Sequence, residues 1–469
     1  MAHQIGYVAL PGVVLAYILI LLLPIEMSFY LGPLLITPTR LFLVLAAFPL
    51  VGMLFRNEKL RIIDWMMIGY VLWVMLAYLA KRGGGGIEAA GQSFLEVAVS
   101  YLVARVFFKT PQQVVRLLLI VGVLIAILGL LAIPEAISHQ RYLHNIPRMV
   151  TGIIYDMQAD IRLGLLRAAS TFENPILFGL FSATFLSLVW YSTLSLGARV
   201  ALVAGIALST FLSLSSAAIL LLVMQIFLIM AEHASRRIPR RAPMILGMIL
   251  MMVVLIETFS NRGVVRLIAS KLTFNPHTGY YRLLQWEYSI DDVYANPMFG
   301  IKFENWTRPF WMTDSIDNNW LFMAMNSGVP AVFIIFVVMG LLAFRMYKRR
   351  KTMQDAVLRS LLLGWIIGMS ALFLGGWTVA LFGKMLPAFF FLIGLGAALV
   401  QMPDTADAED GEVSDPPPQQ TGRRHSRFAT TPGRRMPARM VQKPAVATRA
   451  ARPIGSTGSA RTPNRFDKA

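Results

Sequence analysis

At ordinary composition a chain of 469 residues would divide into about two or three soluble domains, yet 56% of its residues are hydrophobic, only 14% are charged and its mean hydropathy is +0.61. Soluble globular chains carry about 25% charged residues, so most of this surface faces lipid or other helices, and hydrophobic spans are the unit to count. The absence of cysteine excludes disulfide scaffolds, zinc-thiolate and iron-sulfur sites and thiol catalysis, and 43 basic against 25 acidic residues leave a formal charge of +18.

In chain order, about twelve apolar segments have the length of a membrane-crossing helix: 8 to 27, 36 to 55, 63 to 80, 92 to 108, 114 to 133, 172 to 192, 198 to 214, 216 to 232, 243 to 260, 328 to 345, 360 to 381 and 385 to 401. The expected class is an all-α polytopic membrane protein, with a membrane domain over 1–401. Basic residues collect between spans, at Arg56, Lys59 and Arg61; at Lys109; at Arg236, Arg237, Arg240 and Arg241; and at Arg345, Lys348, Arg349, Arg350 and Lys351. If the amino terminus is cytoplasmic, all these clusters fall on the cytoplasmic side, as the positive-inside rule requires. The first span has no basic leader and no small-residue cleavage site, so it is expected to stay as a helix.

That topology leaves two long external segments, 134–171 and 261–327, of the kind that usually carry function. The second mixes Arg262, Arg266, Lys271, Arg282, Lys302 and Arg308 with Glu287, Asp291, Asp292, Glu304, Asp314 and Asp317. External loops avoid arginine, so these guanidinium groups point to pyrophosphate or polyanion recognition. Tyr280, Tyr281, Trp286, Tyr288, Tyr294, Trp306, Phe310, Trp311 and Trp320 would suit stacking on sugar rings, or an aromatic belt at the membrane interface. Asp291 and Asp292 have no third ligand at a suitable spacing and read as solvated carboxylates, so no metal is expected. His139, His144 and His277 show no metal-like spacing and receive no role.

Residues 402–469 differ in kind, rich in Pro, Gly, Ala, Thr and Arg, acidic from Asp404 to Asp415 and basic from Arg423 onward. Such a tail cannot form a core. Beside a membrane it is expected to be a disordered cytoplasmic segment that senses anionic lipid or fixes topology, with no nucleic-acid role.

Several short motifs occur in a distinctive order. Arg167 precedes Phe172-Glu173-Asn174-Pro175 and Phe178-Gly179; Tyr281-Arg282 leads to Trp286; Asn296-Pro297 is followed by Gly300; and Asp317-Asn318-Asn319-Trp320 precedes Asn326 and Gly328. Together, over about 160–345, these resemble the O-antigen ligase and polysaccharide polymerase superfamily. The resemblance implies a GT-C-like membrane glycosyltransferase of the bacterial inner membrane, with both termini cytoplasmic. It would transfer undecaprenyl-pyrophosphate-linked oligosaccharide repeat units to a glycan acceptor on the periplasmic side, beside a flippase and a chain-length regulator. Two departures stand out. Ser213-Leu214-Ser215-Ser216-Ala217 lacks the arginine of the family's Ser-x-Ser-Arg, leaving Arg262 or Arg266 to substitute. Asp317 stands where ligases carry histidine, which shifts the expectation toward an exopolysaccharide polymerase, with ligase transfer to a lipid A core as the alternative.

The implied chemistry makes two demands. A departing pyrophosphate needs fixed cations, and guanidinium groups stay protonated and bind phosphate oxygens in pairs. Arg167 and Arg282 come first, then Arg266 and Arg262, with Glu173, Asn318 and Trp286 completing the substrate site. The acceptor hydroxyl needs a base, and Asp317 is the candidate. One base in a direct displacement inverts the anomeric centre, and no cofactor is required. Asp317 is equally well placed to cap the following helix, Arg167 and Arg282 to anchor at the interface, and Glu173 to serve a helix N-terminus.

Other classes differ in signature. A metal-dependent lipid-linked sugar transferase would carry acidic ligands in its first external loop, whereas the residues following Glu26, from Met27 to Ile36, include no Asp or Glu. A transporter would show interrupted helices and ionisable groups at the midplane; Glu96, Arg105 and Glu257 are the nearest approach, and they fall near span ends.

Overall fold

The computed structural model describes residues 9–32, 34–155, 157, 159–235 and 276–404, all within one unit, Met1–Ser414. Arg262 and Arg266, the expected span 243–260, the basic cluster at 236–241 and the tail from 405 lie outside the described residues. In chain order the elements are α1 (Gly12–Leu21), hairpin β1 (Phe29–Leu31) and β2 (Leu34–Ile36), α2 (Pro38–Asn57), α3 (Ile62–Arg82), α4 (Ile87–Ser93), α5 (Ser100–Phe107), α6 (Pro111–Ser138), α7 (Tyr142–Thr151) and hairpin β3 (Ile161–Arg162) and β4 (Leu165–Leu166). There follow α8 (Pro175–Thr184), α9 (Leu186–Trp190), α10 (Leu196–Leu212), α11 (Ser216–Ala234), α12 (Pro276–Ala295), α13 (Asn319–Ser327), α14 (Val329–Thr352), α15 (Ala356–Gly375) and α16 (Met385–Gln401).

Each expected span within the described residues contains helix, consistent with an all-α membrane protein. Among the described residues, 6 segments are long and apolar enough to cross a bilayer, while α1, α8 with α9, α10 and α16 are shorter apolar helices. Local sequence fixes the starts. Thr37, Thr110 and Asn174 each accept a first-turn amide, from Arg40 (3.2 Å), Gln113 (3.4 Å) and Ile176 (2.8 Å), and each is followed by a proline that needs no amide partner.

The longest apolar stretch, 46 residues from Ile62 to Phe107, is a hairpin. α3 ends at Gly83–Gly86 and the chain returns through α4 and α5, so that Arg105 Nε stands 2.9 Å from Asp64 Oδ1 near the start of α3. The return limb is not a regular α-helix: Phe94–Val99 is a π-helical turn, and within it Glu96 meets Arg40 at 3.3 Å and Gln92 at 3.0 Å.

Ion pairs sort the helix ends into two groups. At one end Arg105 ties Glu58, Asp64 and Gln401 together, Lys109 pairs with Glu58, and Arg349 donates to the carbonyls of Val400 and Met402. The described basic clusters from the spans' predicted cytoplasmic ends therefore share one end of the bundle. At the other end Arg82 pairs with Glu304, Lys81 Nζ donates to Ile301 O at 2.9 Å and Trp73 Nε1 to Ser327 O at 2.9 Å, so the 276–327 segment sits over the opposite end of α3.

That segment is folded, not an open loop. Val293, Trp306, Met312, Ile316, Leu321 and Met325 form a small hydrophobic core of its own. Gly300, at φ +69°, lies against the Met325 carbonyl where a Cβ would collide, and Ile301 N donates to Met325 O at 2.7 Å. Val329 N donates to Pro297 O at 2.8 Å, so the Asn296-Pro297…Gly300 turn clasps the junction of α13 and α14.

Candidate functional site

α12 delivers Arg282, and Gln285, one turn later on the same helix, holds the irregular segment opposite, residues 315–317. Its side chain accepts from Asp317 N at 3.2 Å and donates to Ser315 O at 2.8 Å. With the backbone fixed there, Asp317 Oδ2 lies 3.4 Å from Arg282 Nε. The pair is accessible, with 20% of the arginine and 39% of the aspartate side chain exposed.

The alternative role for Asp317, capping the next helix, belongs to its neighbour. Asn318 Oδ1 accepts from Trp320 N and Leu321 N, both at 3.0 Å, so Asn318 is the N-cap of α13 and the Asp317 carboxylate is turned toward Arg282. Asn318, expected to bind substrate, spends its side-chain oxygen on the helix.

Arg167 follows β4 and is only 8% exposed. Nη1 reaches Asp160 Oδ2 at 3.0 Å and Nε donates to Ser213 O at 3.2 Å. Arg162 on β3 shares Asp160 at 3.1 Å and donates to Leu214 O at 3.1 Å, so two guanidinium groups converge on the Ser213–Leu214 turn. Burial first, then the charge of Arg162, push the Arg167 pKa below its ordinary value; Asp160 opposes this and Arg282 adds to it. The charge of Arg282 is thus felt at Arg167, and a bound anion would offset it.

The segment after Arg167 is pinned by Glu135 of α6, whose carboxylate accepts Ala169 N and Ser170 N at 3.0 Å each while Arg141 pairs with it at 3.1 Å. This sets Glu173 at 8% exposure with Oε2 lacking a hydrogen-bond partner among the described residues, although Asn174, not Glu173, caps α8. Opposite lies Lys384, just before α16 and 5% exposed, donating to Thr171 O with Nζ 5.1 Å from the Phe172 ring centre. Burial lowers the Lys384 pKa to about 8, with Glu173 and Glu26 acting against that shift. Glu26 is itself buried and within 2.9 Å of His144 Nδ1.

The connection between α15 and α16, residues 376–384, joins these two halves. Asn319 N donates to Gly376 O at 2.7 Å, Leu381 N donates to Asn319 Oδ1 at 3.0 Å, and Gly383 backs onto the Glu173 carboxylate. Trp286, 39% exposed, faces Trp377 of the same connection with ring centres 6.2 Å apart. Lys384, Arg162 and Asp160 were not singled out by the motifs; Asn319 was in one, without a role. Lys384 had a usable signal, since a lysine at the predicted external end of a span breaks the charge rule as much as an arginine does.

Other sequence candidates resolve differently. Trp306 and Trp320, each 3% exposed, are core residues that donate to Asp314 O (3.2 Å) and Phe373 O (3.1 Å), so neither is a stacking platform. Tyr280, Tyr294, Phe310 and Trp311 are exposed. Asp292 holds Thr307 through N (2.7 Å) and Oγ1 (3.1 Å), fastening the loop that follows α12. His139 ends α6 in the left-handed conformation, near Gly164 O at 3.3 Å.

Comparison of the sequence with protein-family models gives no match, and comparison with curated proteins gives none.

Proposed function

We propose that this chain is an inner-membrane glycosyltransferase of the O-antigen ligase and polysaccharide polymerase type. It would cross the membrane about twelve times with both termini cytoplasmic, in a GT-C-like arrangement. It would join undecaprenyl-pyrophosphate-linked repeat units to a glycan acceptor on the periplasmic side. The observation that carries the reading is the accessible Arg282–Asp317 pair, 3.4 Å apart, whose arginine charge is felt at Arg167. Arg162 supports it too, because its guanidinium occupies the Ser213–Leu214 turn where the resemblance expects a cation.

In this reading the pyrophosphate enters among Arg167, Arg162 and Arg282, which neutralise its charge as the anomeric bond breaks. Phosphate binding draws Arg282 away from Asp317, and the freed carboxylate takes the proton of the attacking acceptor hydroxyl. The new glycosidic bond forms on the face opposite the departing pyrophosphate, giving inversion. Trp286 and Trp377 would flank the sugars, and no metal ion has a part.

The test is a complementation assay with analysis of lipid-linked intermediates. Asp317→Asn is expected to lower polymer synthesis by about 10²–10⁴-fold at normal membrane abundance. Arg282→Ala and Arg167→Ala should accumulate lipid-linked repeat units, and chelators should leave activity unchanged. Long-chain product retained by Asp317→Asn would remove Asp317 from the mechanism. Single units ligated to lipid A core in a deletion strain support a polymerase; unligated free polymer supports the ligase alternative.

A further inference from the structure

α7 begins where a long helix emerges from the apolar part of the bundle. α6 starts beside Lys109, which pairs with Glu58 at the Arg105 end, and has 28 residues. At 1.5 Å per residue it extends about 42 Å, more than the ~30 Å of a hydrocarbon core, so its last turn lies at the opposite interface. There the chain turns at His139, in the left-handed conformation at φ +60°, and enters α7.

The amphipathicity of α7 is inverted. Its hydrogen-bonding side faces protein: His144, buried, meets Glu26 through Nδ1 at 2.9 Å, and Thr151, about two turns later on the same side, donates through Oγ1 to Glu26 O at 2.6 Å. Tyr142, Ile146, Met149 and Val150 stand at i, i+4, i+7 and i+8, a single apolar stripe, and all four are exposed, Met149 and Val150 at 84%. A surface helix of a soluble domain does the reverse and turns its apolar stripe to the core. A stripe of this kind turned outward fits acyl chains and not water.

The chain around Glu26 follows the same rule. Met27, and Phe29, Tyr30 and Leu31 of β1, are exposed, and β2 leads directly into α2. α2 is long and apolar enough to cross a bilayer, and its Leu45 and Phe48 are exposed at 70% and 87%. The outward apolar surface therefore passes along the chain from the Glu26 turn into a spanning helix. Arg148, exposed on α7, supplies a cation of the kind that pairs with lipid phosphate at the interface.

We propose that α7 is seated in phospholipid, with the stripe of Tyr142, Ile146, Met149 and Val150 among acyl chains at their boundary with the headgroups, and that this seat holds His144 on Glu26. The proposal rests on the membrane fold alone and not on the chemistry at Arg282 and Asp317. The chain has no cysteine, so a spin label can be placed at one position at a time. The full chain in vesicles of phosphatidylethanolamine and phosphatidylglycerol would be labelled at Ile146→Cys, Met149→Cys or Val150→Cys. Phe48→Cys on α2 and Asp291→Cys on α12, both exposed, serve as the lipid and water standards.

The ratio of oxygen to nickel-chelate collisions in the stripe is expected near that at position 48 and well above that at position 291. Nickel-chelate collisions as frequent as at position 291 would place the stripe in water and overturn the proposal. Few collisions with either reagent would overturn it too, because polypeptide would then cover the stripe. Label–label broadening relieved by unlabelled chain would assign that cover to a second copy. Should the labelled variants not fold, hydroxyl-radical footprinting of the wild type in nanodiscs holding one chain decides. Met149, though more exposed than Met298 of the 276–327 segment, 84% against 52%, is expected to oxidise more slowly. Oxidation of Met149 as fast as that of Met298 overturns the seat.

Discussion

The backbone of Gly383 lies against the carboxylate of Glu173, so that a Cβ at position 383 would stand 2.7 Å from Oε2 and 2.8 Å from Cδ. Gly383 also has φ +52°, which an L side chain adopts only under strain. The 376–384 connection and the Glu173 segment therefore fit only with glycine between them. Gly383→Ala is expected to cost about 1–3 kcal/mol from the backbone alone, and to displace Glu173 and Lys384 together. A Tm lowered by several degrees, with polymer synthesis reduced more than the loss of folded protein explains, is the expected result. An unchanged Tm and unchanged synthesis would mean that the connection does not depend on this contact.

Asp317 and Asn318 are neighbours with separable roles. Asn318→Ala removes the two N-cap hydrogen bonds of α13 and should lower stability by about 1 kcal/mol. Asp317→Asn leaves the cap intact and should leave the melting temperature nearly unchanged while abolishing transfer. Thermal melts beside the polymer assay separate the two, and a large stability loss in Asp317→Asn would show that the Arg282 contact is structural.

Lys384 gives the site a pH signature. Its pKa is lowered to about 8 by burial, against the attraction of Glu173 and Glu26, with His144 paired to Glu26 close by. A lysine with a depressed folded pKa binds fewer protons when folded than when unfolded between about pH 8 and its ordinary 10.5, so its contribution to stability rises with pH across that window. Its charge follows the opposite course, present below about pH 8 and lost above. If the site uses that charge, wild-type activity falls as pH rises through about 8, and Lys384→Arg, which stays protonated, moves the fall to higher pH. A pH profile identical in the two proteins would remove Lys384 from the site.

Helices are legible in this sequence because apolar runs bounded by Thr-Pro, Asn-Pro and basic clusters carry both length and ends, as at Thr37-Pro38 and Asn174-Pro175. The hairpin between α3 and α5 is legible too, through Gly83–Gly86. The π-helical turn at Phe94–Val99 is not, because the apolar pattern around it is the same for α and π geometry. Within the site, Arg167, Arg282 and Asp317 stand out by charge in the segments the sequence predicts to be external. Whether Asp317 or Asn318 caps α13 does not, since both residue types cap well and only the backbone anchored by Gln285 decides. The contacts of Lys384 and Gly383 were hidden because their partners, Thr171 and Glu173, lie some two hundred residues earlier in the chain.

The Arg105 hub lies at the opposite end of the bundle from the Arg282–Asp317 pair. Arg105 and Asp64 are each 1% exposed, and Arg105 also binds Glu58 and Gln401, so one guanidinium fastens α2, α3, α5 and α16. Tyr101 OH adds a hydrogen bond to Asp64 Oδ1. Removing one partner of a buried pair leaves the other charge without compensation, at a cost of about 3–5 kcal/mol. Asp64→Ala should therefore destabilise strongly, while Lys109→Ala, which removes an exposed partner of Glu58, should cost less than about 1 kcal/mol. Because neither residue touches Arg282 or Asp317, the protein that folds should, under the proposed function, keep a near-normal activity per molecule. Membrane abundance measured beside specific activity checks both parts: low abundance with normal specific activity for Asp64→Ala is the expected pattern, and lost specific activity in well-folded protein would assign the hub a part in transport or catalysis.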